Sequence, residues 1–297
     1  MKRVSLFLSG IFFAILWSSA STATKMGLQS AQPLMLCITR FFLAGGLMLG
    51  VAHLLLRGRR PSGKEWGWLA VYGLLNISIY LGLYVLAMQH VSPGLGSLAV
   101  ATNPVFINLI SVIFFRERLR VYTVLSLLLC SAGVVMAAWP LLQNSSATPG
   151  GLLLLLVSML AYSAGVLYFS RKQWGDLSIL AINGWQTLFG GLFLLPFAIL
   201  TYDAGHNLWD WRAIGSILWL AIPVSIIAVQ LWLYLLRDNA ARASFWLFLC
   251  PVSGFLIAYF IMREPIGIYT IAGMALVIGG LYLVQSKKVP KTEARKN

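Results

Sequence analysis

Charge is scarce in this sequence, and negative charge most of all. Only 10% of its 297 residues are charged and just 8 are Asp or Glu, whereas a soluble domain carries roughly 25% charged residues. No polar stretch is long enough to form a soluble domain beside the apolar part. Cysteine is nearly absent too. Cys37, Cys130 and Cys250 each sit inside an apolar run, which excludes a disulfide framework and reads as small packing residues. His53, His90 and His206 lie near the ends of runs, and every carboxylate lies in or near a break. An intramembrane enzyme would need a His/Cys/Ser/Asp cluster or acidic metal ligands within its helices, and the sequence offers none. No metal or cofactor is expected. Nor does any carboxylate occupy a helix centre, where proton-driven carriers often keep one, so the mode of coupling stays open.

What the chain has instead is apolar sequence, 59% of it, in continuous runs of roughly 20 residues, enough for a helix to cross about 30 Å of hydrocarbon. A spanning element must satisfy its own backbone, so it is a helix or part of a closed barrel. Continuous rather than alternating runs mean helices. The pattern predicts an all-α integral membrane protein with ten transmembrane helices, at 4–24, 33–56, 66–87, 94–115, 120–139, 150–170, 178–201, 213–235, 241–261 and 266–285. The net charge of +14 would suggest nucleic acid in a soluble protein. Here the basic residues sit between apolar runs, so the expected partners are the lipid bilayer and a small-molecule substrate, with no nucleic acid.

Those basic residues set the orientation. Of 22, Lys25, Arg212 and Arg263 fall on one side, Arg40 lies within a helix, and the other 18 fall on the opposite side. The excess of Lys and Arg marks the cytoplasmic face, so both termini are expected there. Lys2-Arg3, an apolar run and Ser21-Thr22-Ala23 resemble a cleavable signal peptide. The internal repeat needs that first helix, which favours its retention. The basic tail reads as an orientation signal or a contact with anionic lipid.

The repeat appears when the chain is shifted by 147 residues. Pro104 then falls on Pro251, Arg116-Glu117 on Arg263-Glu264, Tyr122-Thr123 on Tyr269-Thr270, Ser97 on Ser244 and Gly133 on Gly280. Shared Leu residues would mean little, but these matches share one gapless offset. They divide the chain into a first five-helix repeat (1–142), a linker (143–149), a second repeat (150–287) and a basic tail (288–297). Five is odd, so the second repeat is inverted. An inverted repeat gives alternating access, because exchanging the conformations of the halves exchanges the open side. One chain carries both halves, so a monomer suffices for the pathway, and a homodimer is equally compatible.

Leu16-Trp17-Ser18, Arg40-Phe41, Asn103-Pro104 and Phe115-Arg116-Glu117-Arg118-Leu119, with Ala161-Tyr162-Ser163, Cys250-Pro251 and Arg263-Glu264-Pro265 in the second copy, resemble the drug/metabolite transporter superfamily, EamA type. The resemblance covers nearly the whole chain. It implies a cytoplasmic-membrane carrier that exports small metabolites, amino acids or drugs. It also implies a cavity lined by helices one, three, four, six, eight and nine. Amino acids and related metabolites lead, amphipathic drugs come second, and a non-transporting membrane helper is the alternative of another class.

The substrate-binding candidates are Trp17, Arg40, Asn76, Tyr80, Asn103, Tyr162, Gln230 and Trp246. Amides donate to and accept from polar solutes, and aromatic rings stack or hold a cation. Each also reads as an interhelical hydrogen bond or an interfacial anchor. Asn76 and Tyr80 are four apart and so share a helix face. Arg40 reads either as partner to a substrate carboxylate or phosphate, or as an arginine that snorkels or bonds helix-end carbonyls. Pro104 and Pro251, within their predicted helices, are candidate hinges. Glu117 and Glu264 are candidate gates or helix caps. Gly46 and Gly50, and Gly10 with Ala14 and Ser18, predict close helix packing.

Overall fold

Capping residues mark where the rods begin. Ser92, Thr148 and Ser178 each accept a hydrogen bond from the backbone N–H three residues on, and Asp210 accepts from Arg212 and Ala213. Three of the rods start on Pro33, Pro93 and Pro149, where the missing N–H has no helical partner to lose. The computed structural model describes residues 2–116, 121–143, 148–238, 243–263 and 266–286. They form ten rods: α1 (Lys2–Gly27), α2 (Pro33–Leu55), α3 (Glu65–Ala87), α4 (Pro93–Phe115), α5 (Val121–Gln143), α6 (Pro149–Arg171), α7 (Ile179–Leu200), α8 (Trp211–Arg237), α9 (Phe245–Met262) and α10 (Ile268–Ser286). Eight are long and apolar enough to cross a membrane, and α5 and α10 contain the shorter apolar stretches Val121–Ala137 and Ile268–Gly280. No strand occurs among the described residues.

The rods pair with the symmetry of a two-fold axis. α2 packs on α7, α4 on α9 and α5 on α10, each rod on its own counterpart. α1 packs on α8 and α9, as α6 does on α3 and α4. Side chains repeat the pattern. Cys130 Sγ donates to the carbonyl of Val277, its own counterpart 147 residues later. On either side of it, Ser126 donates to the Gly280 carbonyl, and at the symmetry-related place Gly133 presses on Gly273. A Cβ added at Gly133 would lie 2.6 Å from the Gly273 carbonyl oxygen, so close backbone approach needs glycine here. The chain is thus a ten-helix fold of two five-helix repeats, inverted because each contains an odd number of spans.

Two irregularities also recur in pairs, whereas the π segment Gly50–Leu55 of α2 has no counterpart in α7. α3 widens to π geometry over Leu74–Ile79, and α8 over Leu220–Ala228, which overlap under the same shift. Such π segments gather at functional positions. α4 breaks at Ala101–Thr102, and α9 opens with a 3₁₀ turn, Phe245–Phe248, before its α-helix starts at Leu249. This corrects the sequence reading of Pro104 and Pro251. Neither kinks a continuous helix. Each sits in the first turn of the segment after an interruption, where a missing N–H costs least. Both segments end on an arginine in the left-handed region, Arg116 (φ 53°) and Arg263 (φ 56°), again 147 residues apart.

The glycine reading of α2 is also corrected. Gly46 and Gly50 face open space, with nothing within 4 Å of an added Cβ. The close approach to α7 is made by Gly45, against Leu188 and the Gly184 carbonyl. Gly10 does pack closely, against the ring of Trp246. Residues 144–147 of the predicted linker (143–149) and the tail (288–297) lie outside the described residues, as do Glu117 and Glu264.

Candidate functional site

Aromatic rings from four rods converge where the halves meet. Trp17 of α1 and Tyr162 of α6, matched between the halves, have ring centroids 6.1 Å apart. Tyr162 lies 4.7 Å from Tyr80 of α3, and Tyr80 lies 6.1 Å from Tyr84. Trp232 of α8 stacks on Tyr162 at 6.1 Å and on Phe13 at 4.9 Å. All of these rings are buried. Among the described residues, three buried polar atoms on or beside this wall have no hydrogen-bond partner: Tyr162 Oη, Trp232 Nε1 and, one turn before Tyr80, Asn76 Oδ1. Buried polar atoms are nearly always paired, so a cluster of exceptions points to a ligand surface.

Beside the wall runs a line of polar contacts through four rods. Arg40 Nε of α2 donates to Ser225 Oγ of α8 at 2.9 Å. Asn183 Nδ2 of α7 donates to the Ser225 carbonyl at 2.8 Å. Gln186 Nε2 donates to Asn183 Oδ1 at 3.1 Å, and Asn76 Nδ2 of α3 donates to Gln186 Oε1 at 3.1 Å. Two members of this line, Ser225 and Asn76, lie in the π segments of α8 and α3. A π turn widens the helix and frees local carbonyls, which lets the Ser225 carbonyl accept from another rod.

Arg40 does not snorkel. It is 5% exposed and is the only fully buried charge among the described residues. Its electrostatic neighbours are Cys37, Tyr80 and Tyr84, and its guanidinium carbon lies 5.4 Å from the Phe41 ring. No carboxylate lies within ion-pair distance of it among the described residues.

The structure sorts the remaining candidates. Trp17, Tyr80 and Tyr162 form the wall, Asn76 carries an unpaired oxygen one turn before Tyr80, and Gln230 carries another on α8 two residues before Trp232. Asn76 and Tyr80 part company across the π segment, Asn76 turning to α7 and Tyr80 to α6. Asn103 is spent on α6, where its Oδ1 accepts from Ser163 Oγ at 3.2 Å and its Nδ2 faces Met159 Sδ at 3.3 Å. Trp246 stands apart from the wall, over Gly10 and edge-on to Phe7 at 5.5 Å, closing α1 against α9. Trp232, Tyr84, Ser225 and Asn183 were not among the sequence candidates. Trp232 falls near the end of its predicted helix, where a tryptophan reads as an interfacial anchor. Only the longer observed rod, which runs to Arg237, brings it inward. Ser225 and Asn183 carried no signal, because small polar residues are ordinary in membrane helices.

The rim outside the membrane is stapled on both faces. Arg59 bonds Glu65 at 2.7 Å and also Asp176 of the second half. On the other face Asp210 accepts from Ser30 Oγ at 2.8 Å, and Asn207 Oδ1 accepts from the Gln32 backbone at 3.0 Å. Backbone and side-chain hydrogen bonds, led by the Ala213 N–H, hold the Asp210 carboxyl below its ordinary value. Those led by the Gly205 N–H do the same for Asp203. Lys25, at the end of α1, donates to the carbonyls of Met88 and Val91 at the end of α3, both at 2.9 Å.

Comparison with known proteins agrees with the two-repeat fold. The profile of the EamA-like transporter family matches residues 5–139 and again 149–286. An uncharacterized transporter of Archaeoglobus fulgidus is 28% identical over 92% of this chain and 95% of its own length. The uncharacterized inner membrane transporter YedA of Escherichia coli K12 is 30% identical over 95% of this chain and 94% of its own. A solved crystal structure superposes with a TM-score of 0.73, covering 95% of this chain and 97% of that one. At 22% identity that likeness concerns the fold.

Proposed function

The chain belongs to the EamA-like transporter family, and on that premise we propose that it is a secondary transporter exporting a small metabolite, an amino acid or a related compound, across the cytoplasmic membrane by alternating access. The observation that carries the reading is the wall of Trp17, Tyr80, Tyr162 and Trp232. It holds unpaired polar atoms and stands where the two halves meet. Substrate sites of inverted-repeat carriers occupy that place, near the midplane at the repeat interface. The paired interruptions of α4 and α9, just before Pro104 and Pro251, supply matched hinges for rocking one half against the other. The excess of basic residues on one face supports cytoplasmic termini.

Transport in proteoliposomes tests this. Labelled amino acids, pentoses, nucleosides and cationic dyes are offered to the wild type, Trp17→Ala and Asn76→Ala, with and without a proton gradient. Saturable flux of one class, lost in folded variants, is the expected result. Flux no greater than that of empty liposomes for every class would overturn the reading and favour a membrane helper. Saturable flux of the dyes alone would make it a drug carrier.

A further inference from the structure

The export reading leaves the substrate's charge unstated, and Arg40 bears on it. A buried cation without a counter-ion carries a desolvation penalty of several kcal/mol. Arg40 is such a cation: it is 5% exposed, with no carboxylate in ion-pair distance among the described residues. Its only hydrogen bond among the described residues is the one Nε gives Ser225. A guanidinium has five N–H donors in a planar fork, and of these the Nε donor is fixed to α8. Ser225 is itself fixed, its carbonyl held by Asn183.

Resting on the carrier reading, we propose that Arg40 is the anion anchor of the substrate site, and that the substrate is a monocarboxylate with a planar apolar body. A fork of parallel N–H groups matches a carboxylate. A single buried charge neutralises a monoanion and would leave a phosphate dianion in excess. The planar body follows from the neighbours. One turn before Arg40, Cys37 Sγ lies 3.9 Å from the carbonyl of Leu81, the residue after Tyr80, and the Tyr80 ring continues at 4.7 Å into Tyr162 and from there into Trp17 and Trp232. Aromatic faces favour stacking on another ring. Farther along α3, the unpaired Asn76 Oδ1 offers an acceptor to an ammonium or hydroxyl group.

Binding to the purified wild type in nanodiscs, by titration calorimetry, tests this with a matched set: phenylalanine, 3-phenylpropionate, phenethylamine, phenyl phosphate and alanine. The two ring-bearing carboxylates should bind at least about tenfold more tightly than phenethylamine, the scale of a charged hydrogen bond. They should also bind more tightly than alanine and phenyl phosphate. Arg40→Gln should abolish that preference, and Arg40→Lys should restore part of it. Equal or tighter binding of phenethylamine overturns the proposal, as does binding of no carboxylate; tighter binding of phenyl phosphate replaces carboxylate by phosphate. The wild-type series decides even if the Arg40 variants do not fold. Saturable transport of a nucleoside or pentose without carboxylate binding removes this proposal and keeps the carrier.

Discussion

Trp17 and Tyr162 occupy matching places in the two halves of the chain, and their rings meet 6.1 Å apart. A position at which the matched Leu16-Trp17-Ser18 and Ala161-Tyr162-Ser163 motifs differ therefore lies at their junction. Similar halves form the frame, and dissimilar side chains at the centre make a site whose two sides differ chemically. The Tyr162 hydroxyl has no partner and so contributes nothing to folding. Tyr162→Phe should leave thermal stability in detergent unchanged or raised by up to about 1 kcal/mol, because an unpaired buried hydroxyl is removed. A fall in substrate affinity in the same variant would mark the hydroxyl as a ligand to substrate.

The α5–α10 pair should behave in the opposite way. Gly273→Val places carbon against the Gly133 backbone and should cost at least about 1–3 kcal/mol by overpacking. Gly46→Ala, which meets open space, should be neutral or stabilising by up to about 1 kcal/mol through the gain in helix propensity. Thermal unfolding of both variants in detergent tests the pair.

Arg116 and Arg263 adopt φ of 53° and 56°, where a side chain is strained and glycine is not. Arg263→Gly should therefore raise stability, by less than about 1 kcal/mol once the looser unfolded chain is counted. A lower melting temperature would mean that the arginine side chain holds the turn through contacts of its own.

Breaking the polar line should be costly at its middle. Asn183→Ala removes the partners of Gln186 Nε2 and the Ser225 carbonyl. Leaving such groups buried and unpaired costs about 1–3 kcal/mol each, and the Arg40 guanidinium loses the support of its tether. Lower stability together with weaker carboxylate binding is expected. Unchanged binding would show that Ser225 holds Arg40 unaided.

The loop before α8 should loosen in acid. Asp203 and Asp210 both titrate below their ordinary value of 3.8 in the folded protein. A lowered folded-state pKa stabilises the fold above the unfolded value, and that stability is lost as pH falls through the folded value. Proteolytic cleavage within residues 201–210 should thus stay constant above about pH 5 and rise below about pH 4. Asp210→Asn should flatten that rise.

Much of the frame was legible in advance. The ten runs, the 147-residue shift and the odd count of helices depend on local hydropathy and identity, which a membrane turns into spans almost directly because every span must satisfy its own backbone. Trp17, Tyr80 and Tyr162, which form the aromatic wall, were legible as candidates because they are aromatic residues within long apolar runs.

What escaped was decided by distance between rods. Hydropathy cannot tell which face of an apolar helix meets protein and which meets lipid, since both surroundings are apolar. Hence Gly46 and Gly50 looked like packing residues and Gly45 did not. The prolines similarly read as kinks within continuous helices, whereas each sits in the first turn after an interruption, where proline is better accommodated. The sequence by itself determined that this protein spans a membrane as two matched halves. Only the tertiary structure decided that Arg40 meets Ser225 rather than an acid, and that Trp232 closes the aromatic wall. Those contacts join residues of rods far apart in the chain, through a π segment that no hydropathy pattern encodes.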